Sequence, residues 1–187
     1  MGEYWVSCLV ERFGFTKDEV HRLAWAEEVN TGRLVVYIRD PFSKVCGVHT
    51  RAREGQYPKT RDYRRSEHYV GWFFPEGTGN ESCKGPIILV EDVLSAAKVS
   101  TAGFVAVSLM GSNLSLEQLG DIQAVSQGGT VALALDRDAT GKAIELASRY
   151  RFLSGGNLIP MLLSKDLKYH TKEEIVQMVG DVIGSSE

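Results

Sequence analysis

The amino-acid sequence predicts an α/β protein: a parallel sheet flanked by helices, preceded by a small basic α+β lobe with a β-hairpin. Three observations lead there. From Pro86 onward, strand-like and helix-like segments alternate four times, the pattern of a parallel sheet covered on both faces. Before it, Arg33 to Arg51 reads as two strands around a tight turn. Positive charge is concentrated in that same first half. The 187 residues suit one compact domain with a smaller lobe attached. The compositional boundary near Gly85 divides the chain into an N-terminal lobe, residues 1–85, and a second domain, residues 86–187.

Residues 1–30 read as a short helical lead-in. Thr16-Lys-Asp-Glu19 is a capping box, and Val20, Leu23, Ala24 and Trp25 follow at helical spacing. Arg33–Arg39 is rich in β-branched and aromatic residues, Asp40-Pro-Phe-Ser43 has turn chemistry, and Lys44–Arg51 returns as a strand. Ala52 to about Gly85 is polar and broken by Gly and Pro, an irregular stretch with one or two short strands. Then come strand Ile87–Val90, helix Asp92–Ala102, strand Phe104–Ser108 and the loop Leu109–Asn113. Ser115-Leu-Glu-Gln118 opens a second helix through another capping box. Strand Thr130–Leu135, helix Ala139–Phe152, strand Asn157–Leu163 and helix Thr171–Ile183 complete the alternation.

Composition excludes several classes. The apolar run Pro86-Ile-Ile-Leu-Val90 falls far short of the ~20 residues a membrane span needs. Met1–Cys8 lacks the basic start, apolar block and small-residue cleavage site of a secretory leader. A cytoplasmic protein is expected, with no membrane partner. Cys8, Cys46 and Cys83 have no C-x-x-C spacing, so neither zinc binding nor a disulfide framework is expected. The net charge of −3 hides an asymmetry. Between Arg33 and Arg65, nine Lys/Arg face three Asp/Glu. Such an excess suits a phosphate-binding surface, where counterion release drives binding, and equally suits a solvated charged loop.

The acids point to chemistry. In an open parallel sheet, functional residues collect at the carboxyl ends of strands. Ile87–Val90 runs into Glu91-Asp92, and Thr130–Leu135 runs into Asp136-Arg-Asp138. Three hard oxygen donors at one edge suit Mg²⁺ or Mn²⁺. The same acids also suit helix N-termini. His21, His49, His68 and His170 are dispersed and read as ordinary surface or hydrogen-bonded histidines.

These residues carry a resemblance. Glu91 after a strand, Leu109-Met-Gly-Ser-Asn-Leu-Ser115 after the next, and Asp136-Arg-Asp-Ala-Thr-Gly-Lys142 after the third resemble the Toprim domain over about residues 86–170. Toprim is the metal-binding catalytic fold shared by bacterial and phage primases, topoisomerases and some small nucleases. The run from Asp136 to Ala143 is especially similar to primases, and Lys165-Asp166 resembles the Lys-Asp that supplies a further acid there. Arg33 to Arg51 is similar to the hairpin of the primase polymerase core, which Toprim nucleases and topoisomerases generally lack.

The resemblance implies a DNA primase core: a nucleotidyltransferase, a DNA-directed RNA polymerase making short primers on a single-stranded DNA template from ribonucleoside triphosphates. It implies catalytic Glu91, Asp136 and Asp138, with these and Asp166 binding Mg²⁺ or Mn²⁺ as two ions with bound nucleotide. Template and nucleotide would meet Arg39, Arg51, Arg53, Lys59, Arg61, Arg64, Arg65 and Lys142. Tyr57, Tyr63 and Tyr69 could stack on unpaired bases. Arg137 is expected to play a structural part, since alternate residues of an extended D-x-D point oppositely. A bacterial or phage-infected cell is the implied setting, and a replicative helicase or a separate template-recognition domain the implied partner. There are departures. The glycine usual after the first glutamate is Asp92, an aspartate four residues on is Ser95, and an aspartate two after the Lys-Asp acid is Lys168. A Toprim-type nuclease, or a nucleic-acid-binding module with a degenerate metal site, stays open as an alternative.

Overall fold

The computed structural model describes residues 1–64, 66, 68–78 and 85–184. The first lobe opens with helix α1 (Glu3–Ser7), which runs on as a π-helical turn (Cys8–Arg12), and helix α2 (Lys17–Arg22). Both halves of the Thr16/Glu19 capping box form. Strands β1 (Ala26–Glu27), β2 (Leu34–Arg39), β3 (Val45–Arg51) and β4 (Thr60–Arg64) build an antiparallel sheet in sequence order. The β2–β3 hairpin closes where Asp40 Oδ1 accepts the backbone N–H groups of Phe42 and Lys44, both at 2.9 Å. Alternation in β2 turns Leu34, Val36 and Ile38 inward and Tyr37 and Arg39 outward.

The second sheet contains β5 (Gly71–Phe73), β6 (Ile87–Val90), β7 (Val105–Ser108), β8 (Val131–Ala134) and β9 (Leu158–Pro160) in the order β5-β7-β6-β8-β9. Four of these strands are parallel; β5 pairs antiparallel with β7 at the edge. β6, β7 and β8 are buried along their whole length, as strands covered on both faces must be. Helices α3 (Val93–Thr101), α4 (Leu116–Ser126), α5 (Thr140–Tyr150) and α6 (Lys172–Gly184) supply the cover. The Ser115/Gln118 capping box opens α4, and Thr171 and Glu174 cap α6 reciprocally. The final strand is shorter than the sequence suggested: its register with β8 ends at Pro160 beside Leu133, and Met161 closes it by donating its N–H to Leu133 O at 2.9 Å.

One helix joins the two sheets. Every residue of α3 from Val93 to Ser100 is buried. Val93, Leu94 and Ala97 pack with Trp5, Phe15, Leu34 and Ile38 of the first lobe. Ala96 and Val99 pack with Ile88, Val90 and Ala132 of the second sheet. A helix apolar on nearly all sides is what a position between two layers requires. The core therefore runs across the compositional change near Gly85, and β5, on its N-terminal side, joins the second sheet. Among the described residues, no helix is long and apolar enough to cross a membrane.

Candidate metal centre and nucleic-acid cleft

The register of the parallel sheet gathers the acids. Val90 of β6 lies beside Ala134 of β8, so Glu91 and Asp136 leave the sheet at the same edge. β9 runs alongside β8 with Leu133 beside Pro160, which brings Asp166 to that edge as well. Asp136 keeps extended backbone, and Arg137–Ala139 then turns as a 3₁₀ helix. D-x-D is thus a turn rather than an extended run, and Asp136, Arg137 and Asp138 all line one cleft. The outward-pointing Arg137 expected from an extended chain is corrected by this turn. Arg137 also donates its backbone N–H to Asp166 Oδ1 at 3.3 Å.

At the centre of the acids lies an ammonium. Lys168 Nζ is 2.8 Å from Asp92 Oδ2, 2.9 Å from Asp136 Oδ2 and 3.0 Å from Asp166 Oδ2. Asp92 has a second duty as N-cap of α3, its Oδ1 accepting from the N–H groups of Leu94 and Ser95. Burial raises the Asp92 carboxyl, but the ammonium outweighs it and holds the group below its ordinary range. Asp166 is lowered in the same way. Asp136 ends above the ordinary range: burial, helped by Asp92 and Asp166, outweighs Lys168. The lysine is itself pushed up, because its acids overcome the cost of burial.

Among the described residues, no cation pairs with Glu91 as Lys168 pairs with Asp92. Burial first, then the charges of Asp136 and Asp138, raise its carboxyl. Mutual repulsion of this kind is what a bound cation relieves, so hard-oxygen donors Glu91, Asp136 and Asp138 suit one divalent ion. They are not drawn together in advance. Among the described residues, no group of three or more Asp, Glu, His or Cys side chains stands ready to hold a metal ion, and the three acids nearest one another surround an ammonium. Asp166, expected among the metal ligands, lies 3.0 Å from Lys168 Nζ, as Asp136 does at 2.9 Å.

The cleft, about 800 Å³, runs between the lobes. Asp136, Asp138 and Asp166 line one wall; Arg12, Arg51, Arg53 and Lys59 line the other, with Tyr4 and Tyr57 beside them. Tyr57 is 88% exposed, a ring with its face open to solvent. Arg53 is partly committed: it pairs with Glu27, donates to Gly32 O at 3.1 Å and lies over the Tyr4 ring at 4.6 Å. Arg12 was missed by sequence reasoning, because it sits in the helical lead-in outside the basic run.

Other expected contacts fall elsewhere. Arg39 pairs with Val45 while Leu34 pairs with Arg51, so Arg39 lies at the far end of the hairpin, about 17 Å along the strand. Its guanidinium donates to Ser43 O at 2.9 Å. Arg61 and Arg64, on β4, do not line the cleft; Arg64 donates to Tyr69 O at 3.0 Å and lines a second hollow with Lys142. Lys142 donates to Ser112 Oγ at 3.0 Å rather than reaching the acids. Arg33, counted in the basic excess, is buried and donates to Thr50 Oγ1 and Pro58 O. Arg65 lies outside the described residues. Tyr63 and Tyr69 are exposed but do not line the cleft.

No protein-family model matches the sequence, and no curated protein matches it. Solved structures do match in fold. The Aquifex aeolicus primase, zinc-binding and RNA polymerase domains, superposes with a TM-score of 0.64 and 23% identity over 80% of this chain and 40% of that one. The primase fragment of the bacteriophage T7 primase-helicase gives 0.64 and 14% identity over 92% and 72%. A DnaG primase catalytic domain bound to ssDNA gives 0.64 and 15% identity over 94% and 62%. The chain thus spans two-fifths of the Aquifex structure. Its two sheets, joined across one cleft, have the fold of the bacterial and phage primase catalytic core.

Proposed function

We propose that this chain is a primase core of Toprim type, which makes short RNA primers on single-stranded DNA by metal-dependent nucleotidyl transfer. One observation carries the reading: a single cleft has Arg12, Arg51 and Lys59 on one wall and Asp136 and Asp138 on the other. Nucleotidyl transfer needs both, a cationic surface for a phosphodiester backbone and acids that hold a cation at the reacting phosphate. The fold match adds support, as one such catalytic domain was solved bound to ssDNA.

Each side chain then has a task. Arg12, Arg51 and Lys59 hold template phosphates, and Tyr57 offers a face on which an unpaired base stacks. Glu91, Asp136 and Asp138 would hold Mg²⁺ or Mn²⁺, which when bound supplies charge for the leaving pyrophosphate and acidity for the attacking hydroxyl. Arg137, between the two aspartates, faces the same cleft and can meet a nucleotide phosphate. Lys168, which lines the same cleft, ties Asp136 to Asp92 and Asp166. A helicase or template-recognition domain would supply the choice of start site.

Incubation with single-stranded DNA, labelled ribonucleotides and Mg²⁺ or Mn²⁺ tests the proposal. New short labelled RNA is expected. Shortened template without RNA would instead mark a Toprim nuclease, and binding without either would mark a nucleic-acid-binding module.

A further inference from the structure

We infer that Lys168 is a built-in counter-ion occupying the place of a second divalent cation, so the carboxylate site of this chain takes one divalent ion rather than two. The inference rests on the reading of Glu91, Asp136 and Asp138 as a cation site.

The geometry around the nitrogen carries it. Three carboxylates from three separate elements converge on one point, at 2.8, 2.9 and 3.0 Å. An ammonium has three protons and no acceptor capacity, so these contacts use everything it can donate. A lysine on a surface salt bridge swings among partners; this one is fixed. Its side chain is 9% exposed. It sits on a 3₁₀ turn (Leu167–Tyr169) between the buried Leu167 and the exposed Tyr169, whose ring stacks on Phe13 with centroids 5.5 Å apart.

The chemistry excludes sharing. A small divalent ion needs oxygens at about 2.0–2.1 Å around it, and the point where these three oxygens meet is filled by Nζ. A second cation there would also face the ammonium with little water between them, where repulsion is strong. Glu91 and Asp138 make no contact with Lys168, which leaves their side of Asp136 open to one ion.

The test is the number of Mn²⁺ ions bound per chain, measured by isothermal titration calorimetry and by the electron paramagnetic resonance of free Mn²⁺. Lys168→Met should bind one ion more than the unaltered chain, and Lys168→Arg the same number. If Lys168→Met does not fold, Lys168→Gln, which keeps all three carboxylates and leaves a neutral polar group among them, makes the same comparison. Equal stoichiometry in a folded methionine variant, or a gained ion in Lys168→Arg, overturns the inference. The count in the unaltered chain reports separately on the proposed cation site: zero there rejects Glu91, Asp136 and Asp138 as its ligands, whatever the difference between variants.

Discussion

Asp92 and Lys168, 76 residues apart in sequence, meet at 2.8 Å. The pair links the first turn of α3, the helix wedged between the two sheets, to the loop after β9. The same ammonium reaches Asp136, so the N-cap of the helix between the sheets and the proposed catalytic edge share one partner.

Removing that side chain should therefore cost stability as well as order. Lys168→Met leaves three neighbouring carboxylates without their cation, and breaking a buried ion pair on one side typically costs about 3–5 kcal/mol. Asp92→Asn/Lys168→Met should recover part of this. Urea unfolding monitored by circular dichroism measures both. A loss below about 1 kcal/mol in the single variant would show that the cluster is held by other means.

Asp138→Ala should abolish primer synthesis without unfolding the chain. Asp138 makes no contact with Lys168 and adds to the repulsion that raises Glu91, so its removal should leave the melting temperature unchanged or slightly higher. Asp136→Ala should abolish synthesis too, but with some loss of stability, because it strips a partner from Lys168. Full synthesis by Asp138→Ala rejects the assignment.

The cationic wall has an ionic-strength signature. For single strands, log affinity falls with log salt by about 0.7 per phosphate neutralised. Arg12→Ala/Arg51→Ala/Lys59→Ala should flatten the slope by up to about 2 and weaken template binding, with Mn²⁺ binding retained. Arg39→Ala, at the far end of the hairpin, should leave both slope and affinity as they are. Fluorescence anisotropy with a labelled oligonucleotide from low to moderate salt distinguishes them. An unchanged slope in the triple variant places the template elsewhere.

Acid should loosen the first lobe through Asp62. Its Oδ1 lies 2.6 Å from Nδ1 of the buried His49 on the neighbouring strand. Burial raises the Asp62 carboxyl, but His49 more than offsets this, so its value in the folded chain is depressed. A depressed carboxyl contributes stability that is fully present above its unfolded value, about 3.9, and is lost as pH falls through the lower folded value. Asp62→Asn should thus be less stable than the unaltered chain at neutral pH, by about 1 kcal/mol, with the difference shrinking below about pH 4. Urea midpoints measured from pH 6 down to pH 2.5 follow it; a difference independent of pH would remove the carboxylate from the explanation.

Much of this was written in the sequence, because the signals were local. Thr16/Glu19 and Ser115/Gln118 closed their capping boxes, and the alternation of Leu34, Val36 and Ile38 set the buried face of the hairpin. Continuous apolar runs marked β6 and β8, and short parallel strands ending in Glu91 and Asp136 could hardly place those acids at different edges. Charge counting picked out Arg51, Arg53 and Lys59, which line the cleft, together with arginines that do not. A composition window cannot tell Arg51 in the cleft from Arg33 buried under the loop or Arg39 at the far end, since strand alternation and antiparallel pairing decide which arginines share a face. Arg12 belonged to the wall only because α1 and its π-helical turn pack against the hairpin's open end. Asp92 and Lys168 stood out in the sequence as two separate departures of opposite charge. That they neutralise each other, and that the ammonium takes in Asp136 and Asp166 as well, was decided by tertiary structure. Only the order of β6, β8 and β9 in the sheet brings the N-cap of α3 within hydrogen-bonding distance of a loop 76 residues away, and at that distance one buried ammonium holds the carboxyls of Asp92 and Asp166 below their ordinary range.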